Sequence, residues 1–358
     1  MINGRWYLYG IIFLLFFSFQ SQAQKASYPE KNYTKSIYKI PMRDGIKLYT
    51  VVYRPKDTTK VYPILFMRTC YSVGPYAENK FPWSLGPNPY LMKDGYIFVY
   101  QDVRGRFMSE GTFTTMTPNI PGNEESDIDE SSDTYDSIDW LLKKLKGHNG
   151  KVGMWGTSYP GFYTAAALPD AHPALVASSP QAPISDFFFD DFHHNGAFLQ
   201  SYLFAYPVFG YQKTEETTQG WYNQHFIKTD SKDGYDFNLK LGSLKNVDKY
   251  YKEDNFFWRE TVEHPNYDAF WQARNLLPHL KGVDHAVMTV GGLFDAEDLY
   301  GPLNIYKNIE KNNPGTYNTL VMGPWSHGDW HREKGKQIIN HIHFGDSIAT
   351  FFTLKMSA

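Results

Sequence analysis

Cysteine is almost missing. Cys70 is the single one in 358 residues, so no intrachain disulfide can form. A chain of this length buries enough apolar surface to fold without such a staple. Long blocks of lysine or arginine are also missing, and the formal net charge is only −3. That balance excludes nucleic acid or an acidic membrane surface as the main partner. No H-E-x-x-H spacing occurs. His193 and His194 are adjacent, a placement that usually points two side chains apart, and His341 and His343 merely alternate, so no metal site is expected. G-x-G-x-x-G and the phosphate-binding loop are absent too, and no cofactor is expected. There is no internal repeat, and no low-complexity tract long enough to imply disorder.

Aromatic residues, by contrast, are abundant: 17% of the chain, with 27 Tyr and 26 Phe. Core packing and an aromatic-lined pocket both account for this. The first residues, MINGRWYLYGIIFLLFFSFQSQAQK, place Arg5 before a short apolar run over 9–19, then Ser21-Gln22-Ala23. The apolar run is short for a membrane span, and a small-x-small site follows it. Residues 1–23 therefore read as a removable signal peptide, with a retained anchor as the alternative. No cysteine follows the run, so a lipid anchor is not supported. The expected location is periplasmic or secreted.

KSIYKIPMRDGIKLYTVVYRP alternates on both sides of Asp44-Gly45, which predicts a hairpin. Strands are expected in PILFM (63–67), in GYIFVYQDVRG and around 152–155. DTYDSIDWLLKKL has helical spacing through Tyr135, Ile138, Leu141, Leu142 and Leu145. HAVMTVGGLFD and YNTLVMGPWSHGDW each run from an apolar strand into a glycine-containing polar loop. Strands alternating with helices predict an α/β fold with a mainly parallel sheet, whose functional side chains sit at the carboxyl ends of strands. Residues 185–280 break the rhythm and read as a helical cap inserted between a first part, 24–184, and a second part, 281–358.

GMWGTSYPG raises the question of chemistry. Gly156-x-Ser158-x-x-Gly161 has one residue more than the G-x-S-x-G elbow, in which small residues let a serine project from a crowded strand-to-helix turn. Taken alone, it also occurs in ordinary loops. Pro160 suits the first turn of a helix whose N-terminus favours developing negative charge. Asp295 closes VGGLFD and His327 lies in GPWSHGDW. Serine, acid and histidine in that order, each at the end of an apolar strand, match an α/β-hydrolase triad. His327 would take the proton of Ser158, and Asp295 would fix the imidazole. Individually, Asp295 is also a helix cap and His327 an ordinary loop histidine.

GTSYPG, GGLFDAEDLYG and GPWSHG, with MRDGIKLYTVVYRP, RTCY and QDVRGR, resemble the X-Pro dipeptidyl-peptidase and cocaine-esterase-like group of α/β-hydrolases. Within that group the motifs are most similar to the α-amino acid ester hydrolases, with glutaryl-cephalosporin acylases as relatives. The resemblance runs from about residue 40 to the end. It implies an α/β-hydrolase fold with an inserted helical cap, Ser158 as nucleophile, Asp295 as acid and His327 as base. The Tyr71 hydroxyl and the Tyr159 backbone N–H would be the oxyanion donors, and Cys70 stands where proline is usual.

The same resemblance implies that three carboxylates hold a substrate ammonium. FDDFHHNGAF puts one on Asp191, and FDAEDLYG puts the others on Glu297 and Asp298. Converging acids repel unless a cation lies between them, and an ammonium, a metal ion or a solvated acidic face each fits that condition. Trp325 reads as an acyl-site wall or as core. The expected activity is serine hydrolysis of esters or amides of α-amino acids through an acyl-enzyme, with a small amino ester or peptide as partner. A homo-oligomer is compatible with the sequence. An X-Pro dipeptidyl-peptidase and a non-catalytic binding protein are the alternatives. The group's C-terminal jelly-roll domain has no counterpart here, so the second part is expected to be truncated and to expose apolar surface.

Overall fold

Alternation around Asp44-Gly45 produces the hairpin. β1 (Tyr33–Pro41) and β2 (Lys47–Pro55) pair antiparallel, from Tyr33 opposite Pro55 to Pro41 opposite Lys47. Gly45 takes φ +84°, a left-handed conformation that favours glycine. The computed structural model describes residues 26–122, 124–251, 254–332, 338–345, 347–349 and 352. The signal-peptide segment lies outside them. Among the described residues no helix is long and apolar enough to cross a membrane.

β2 also pairs antiparallel with β4 (Ile97–Asp102). Beyond it all neighbours are parallel: β3 (Tyr62–Thr69), β5 (His148–Thr157), β6 (Leu175–Gln181), β7 (Ala286–Gly292) and β8 (Asn318–Gly323). The spatial order of this mixed eight-stranded sheet is β1-β2-β4-β3-β5-β6-β7-β8. Crossover helices are α1 (Glu130–Lys144), α2 (Tyr159–Ala166) and α3 (Tyr300–Asn312). α1 starts on a capping box in which Asp129 and Ser132 exchange side-chain and backbone bonds, and it buries Ile138 and Leu141. Only a short apolar run, 174–177, foreshadows β6. The rest of LVASSPQ looks like a loop, and its place between β5 and β7 makes it a strand.

Among the described residues, 182–285 add no strand to this sheet. They form short helical turns, including a π-turn at Phe188–Phe192 and helices at Gly234–Leu241 and Phe256–Glu263, with a small hairpin of His193–His194 against Ala197–Phe198. One apolar core continues from Phe66, Met154 and Phe162 into Phe187, Phe192, Phe257 and Trp271 of the insertion. Phe192 alone meets the rings of Phe187, Tyr202, Tyr206, Phe257 and Trp271. Much of the aromatic content is therefore packing. On the sheet, Leu65, Trp155, Ala177, Met288 and Tyr317 border an apolar cavity of about 170 Å³, and Tyr317 itself is exposed.

Asp190 ties the insertion to α3. Its fully buried carboxylate accepts N–H bonds from Ser185 (2.8 Å), Asp186 (3.0 Å) and Gly301 (2.6 Å). Burial still pushes it up to about 7, against the pull of these donors. Only glycine fits at 301, because a Cβ there would lie 1.8 Å from the Pro183 carbonyl oxygen. Gly301→Ala is expected to cost about 3 kcal/mol in urea unfolding, as an overpacked and broken joint.

Candidate active site

Ser158 sits between β5 and α2 with φ +69° and ψ −129°, a region that a residue with a Cβ seldom occupies. Its N–H donates to the Gln181 carbonyl at 2.9 Å, and its carbonyl accepts from Phe162 N–H at 3.0 Å. Both flanking glycines are required sterically. A Cβ on Gly156 would lie 2.2 Å from the Pro160 carbonyl oxygen, and one on Gly161 would lie 2.5 Å from that of Gln181. The longer G-x-S-x-x-G spacing follows from the second contact. The glycine is needed where the helix passes β6. Gln181 was not singled out from the sequence, yet it holds two parts together. Its carbonyl takes the Ser158 N–H, and its side-chain oxygen takes Trp330 Nε1–H at 2.8 Å from the loop after β8. Thr157 Oγ1 and His331 Nε2 join the same two segments at 2.9 Å.

β7 and β8 end at Gly292 and Gly323, so Asp295 and His327 stand in the loops that follow. Those loops interlock. Leu293 N–H donates to the Gly323 carbonyl and Phe294 N–H to that of Trp325, and a Cβ on Gly292 would lie 2.2 Å from the Trp325 oxygen. Asp295 Oδ1 accepts the N–H groups of Glu297 (2.9 Å) and Asp298 (3.0 Å), while Oδ2 meets His327 Nδ1 at 2.8 Å. Turn cap and histidine partner are thus one residue. Burial raises the Asp295 carboxyl, but the His327 bond and the two N–H groups outweigh it and hold it below the usual carboxylate range. Trp325 is core, packed on Trp330 and Phe352.

The Asp295 turn also delivers the acids. Asp298 lies with Oδ2 3.7 Å from His327 Nδ1, and Glu297 Oε2 is 3.4 Å from His327 Nε2. Asp298 and Asp191, the latter from the π-turn, are fully buried, and their carboxylate oxygens have no hydrogen-bond partner of good geometry. Burial pushes both carboxyls well up, Asp190 and Glu297 raise Asp191 further, and Asp191 raises Asp298. Contacts with the Tyr202 hydroxyl and between the two carboxyls oppose this for Asp191 only in part. Glu297, Asp298 and His327 place ligand atoms within 4.8 Å of one another, so a cation placed there would meet all three.

Tyr71 is 42% exposed, with its ring edge-on to Tyr159 and against Phe209. The rest of its loop is braced from below by QDVRGR, whose mechanical part was not legible in the sequence. Asp102 accepts Val73 N–H (3.0 Å) and Tyr76 O–H (3.0 Å). Arg106, fully buried, donates through Nε to the Cys70 carbonyl (3.0 Å) and through Nη1 to the Val208 carbonyl (2.9 Å). Its guanidinium lies 4.4 Å from the Trp221 ring centre and 4.7 Å from that of Phe113. Arg106 therefore grips the residues before Tyr71 and Phe209, two rings in contact. Cys70 is buried, and that burial pushes its thiol up to about 12, which leaves it unreactive.

This geometry has known counterparts. Cocaine esterase of Rhodococcus sp. (strain MB1 Bresler) is 27% identical over 314 residues, covering 81% of this chain and 48% of the esterase. The crystal structure of an aminopeptidase from a marine sediment Thaumarchaeota archaeon superposes with a TM-score of 0.78 at 33% identity, over 91% of this chain and 54% of that one. A solved α-amino acid ester hydrolase gives a TM-score of 0.79 at 32% identity, over 95% and 55%. The chain thus spans about half the length of these relatives. These likenesses place the eight-stranded sheet in the α/β-hydrolase fold. The model of the X-Pro dipeptidyl-peptidase (S15) family matches residues 44–329, the span that carries the elbow, the insertion and the Asp295–His327 pair, and the chain belongs to that family.

Proposed function

We propose that the chain is a serine hydrolase cleaving esters or amides of α-amino acids through an acyl-enzyme on Ser158. Ser158 Oγ attacks the carbonyl carbon and passes its proton to His327 Nε2, while Asp295 holds Nδ1–H and stabilises the cation. The Tyr159 N–H, at the start of α2, and the Tyr71 hydroxyl receive the oxyanion. Collapse expels the alcohol or amine with the proton from His327. Water, deprotonated by the same imidazole, then attacks the ester carbon and releases the acid and Ser158. Asp191, Glu297 and Asp298 take the substrate ammonium.

The observation that carries this reading is a pair of buried carboxyls, Asp191 and Asp298, without N–H donors of good geometry, of which Asp298 lies 3.7 Å from the histidine of the Asp295–His327 pair. Such groups await a cation with N–H bonds to give. The test compares kcat/KM for phenylglycine methyl ester and its des-amino counterpart, phenylacetic acid methyl ester. A strong preference for the amino ester is expected, and equal cleavage would remove the carboxylates from the reading while leaving the triad.

A second prediction concerns protons. In the free protein burial pushes Asp191 and Asp298 up and favours their protonated forms, whereas a bound ammonium favours the charged forms. Binding of an amino ligand should therefore release protons, seen as a dependence of calorimetric heat on buffer ionisation enthalpy. KM for amino esters should rise as pH falls, until at the other end the ligand amine itself deprotonates near pH ~8. No buffer dependence would contradict it.

The family's namesake reaction favours a second reading, release of X-Pro dipeptides, which needs a free amino terminus as well. Faster cleavage of a Gly-Pro anilide than of the phenylglycine ester would select it. Labelling of Ser158 by a fluorophosphonate separates both from a non-catalytic binding protein. Export to the periplasm or medium completes the proposal, resting on Arg5, the apolar run and Ala23. N-terminal sequencing of the mature protein should begin at Gln24.

A further inference from the structure

We propose that the insertion carries a second small-molecule site, for a free α-amino acid with an apolar side chain. The place is a cavity of about 510 Å³ bounded by His193, Phe198, Lys245, Asp248, Trp258 and Thr261, residues to which the reaction above gives no part. This volume is in the range of small-ligand pockets.

Its chemistry has three parts. Phe198 and the buried Trp258 supply aromatic wall. The rim carries one charge of each sign. Lys245 and Asp248 lie three apart on the 3-10 turn Leu244–Lys249, so they project from the same side, and no ion pair joins them. Trp258 Nε1–H fixes Asp248 Oδ1 at 2.8 Å. The third part is His193. It is 6% exposed, stacked on Phe188 at 3.9 Å between ring centres, and its Nδ1 is buried without a hydrogen-bond partner of good geometry. Burial lowers its pKa against a smaller opposing hydrogen bond to the Phe188 carbonyl, which favours the neutral imidazole.

His193 closes the cavity wall as a rigid aromatic face, with its Nδ1 buried out of reach of an occupant. A zwitterion satisfies the set. Its carboxylate meets Lys245, its ammonium meets Asp248, and its side chain lies along Trp258 and Phe198. An ester lacks the carboxylate and an amide lacks its charge, so the site distinguishes released acid from substrate. The His193 N–H closes the π-turn on the Phe188 carbonyl, and Asp191 lies within that turn. An occupant packed on His193 therefore lies against the residue that closes the segment carrying Asp191. Naming the ligand as a reaction product rests on the proposed function; the binding itself does not need the triad.

The test is calorimetry with L-phenylalanine on the full chain carrying Asp191→Asn, which weakens the amine pocket. Binding should persist. Lys245→Met and Thr261→Trp, the latter filling the cavity, should each weaken it roughly tenfold or more, and so should replacing the ligand by phenylalaninamide or 3-phenylpropanoate. Unchanged phenylalanine affinity in both Lys245→Met and a Thr261→Trp chain of unaltered circular dichroism overturns the proposal. Equal affinity for 3-phenylpropanoate overturns the zwitterion. Failure of the amine-pocket reading looks different: Asp191→Asn would leave the preference for amino esters intact, whatever the cavity binds.

Discussion

Ser158→Ala should lower kcat for an amino ester by roughly 10⁴-fold or more while leaving the fold unchanged. Alanine keeps the Cβ and therefore the strained φ +69°, ψ −129° backbone. Glycine at 158 should behave differently. It is equally inactive but relieves a conformation that costs about 1–3 kcal/mol in a residue with a Cβ, less the extra chain entropy glycine loses on folding. Ser158→Gly is thus expected to exceed Ser158→Ala in unfolding free energy by about 1 kcal/mol. Equal stability would mean the elbow stores no strain. Retained activity in either variant would remove Ser158 from the chemistry.

The second large effect lies in the carboxylates. Asp191→Asn or Asp298→Asn should reduce the preference for an amino ester over its des-amino counterpart by roughly 10²–10³-fold, the loss expected when a buried ion pair is broken. Glu297→Gln should cost less, because its side chain is 33% exposed and screened by water. Stability should move the other way. A carboxyl whose folded pKa is raised contributes stability at low pH that is lost as pH rises through the folded value. Above that value the two acids repel in a dry site, and Asp191→Asn should raise Tm in the absence of ligand. A lower Tm at pH 8 without ligand would show that the acids are satisfied within the protein.

Local signals revealed the frame. Asp44-Gly45 between alternating residues, and the apolar strands at 152–155, 286–292 and 318–323, carry enough pattern to mark the sheet. Gly156, Gly161, Gly292 and Gly323 are legible for the same reason, since each marks a close approach that any Cβ would block. β6 escaped because Ser178, Ser179 and Pro180 carry no strand signal, and the strand exists only through its neighbours. Gln181 and Arg106 escaped because nothing local shows what a side chain meets across the sheet. Asp190 was hidden beside Asp191. Two adjacent acids look alike in sequence, while the π-turn sends one into a net of N–H donors and leaves the other without any. The three acids were placed by resemblance, not by spacing, for Asp191 is more than a hundred residues from Asp298.

The most direct measurement is the mass of the intact chain after rapid acid quenching during turnover of phenylglycine methyl ester. The expected species is heavier by one phenylglycyl group, localised by peptide mapping to Ser158 and absent from Ser158→Ala. Turnover with no covalent species, undiminished in Ser158→Ala, or an adduct on any other residue would contradict it.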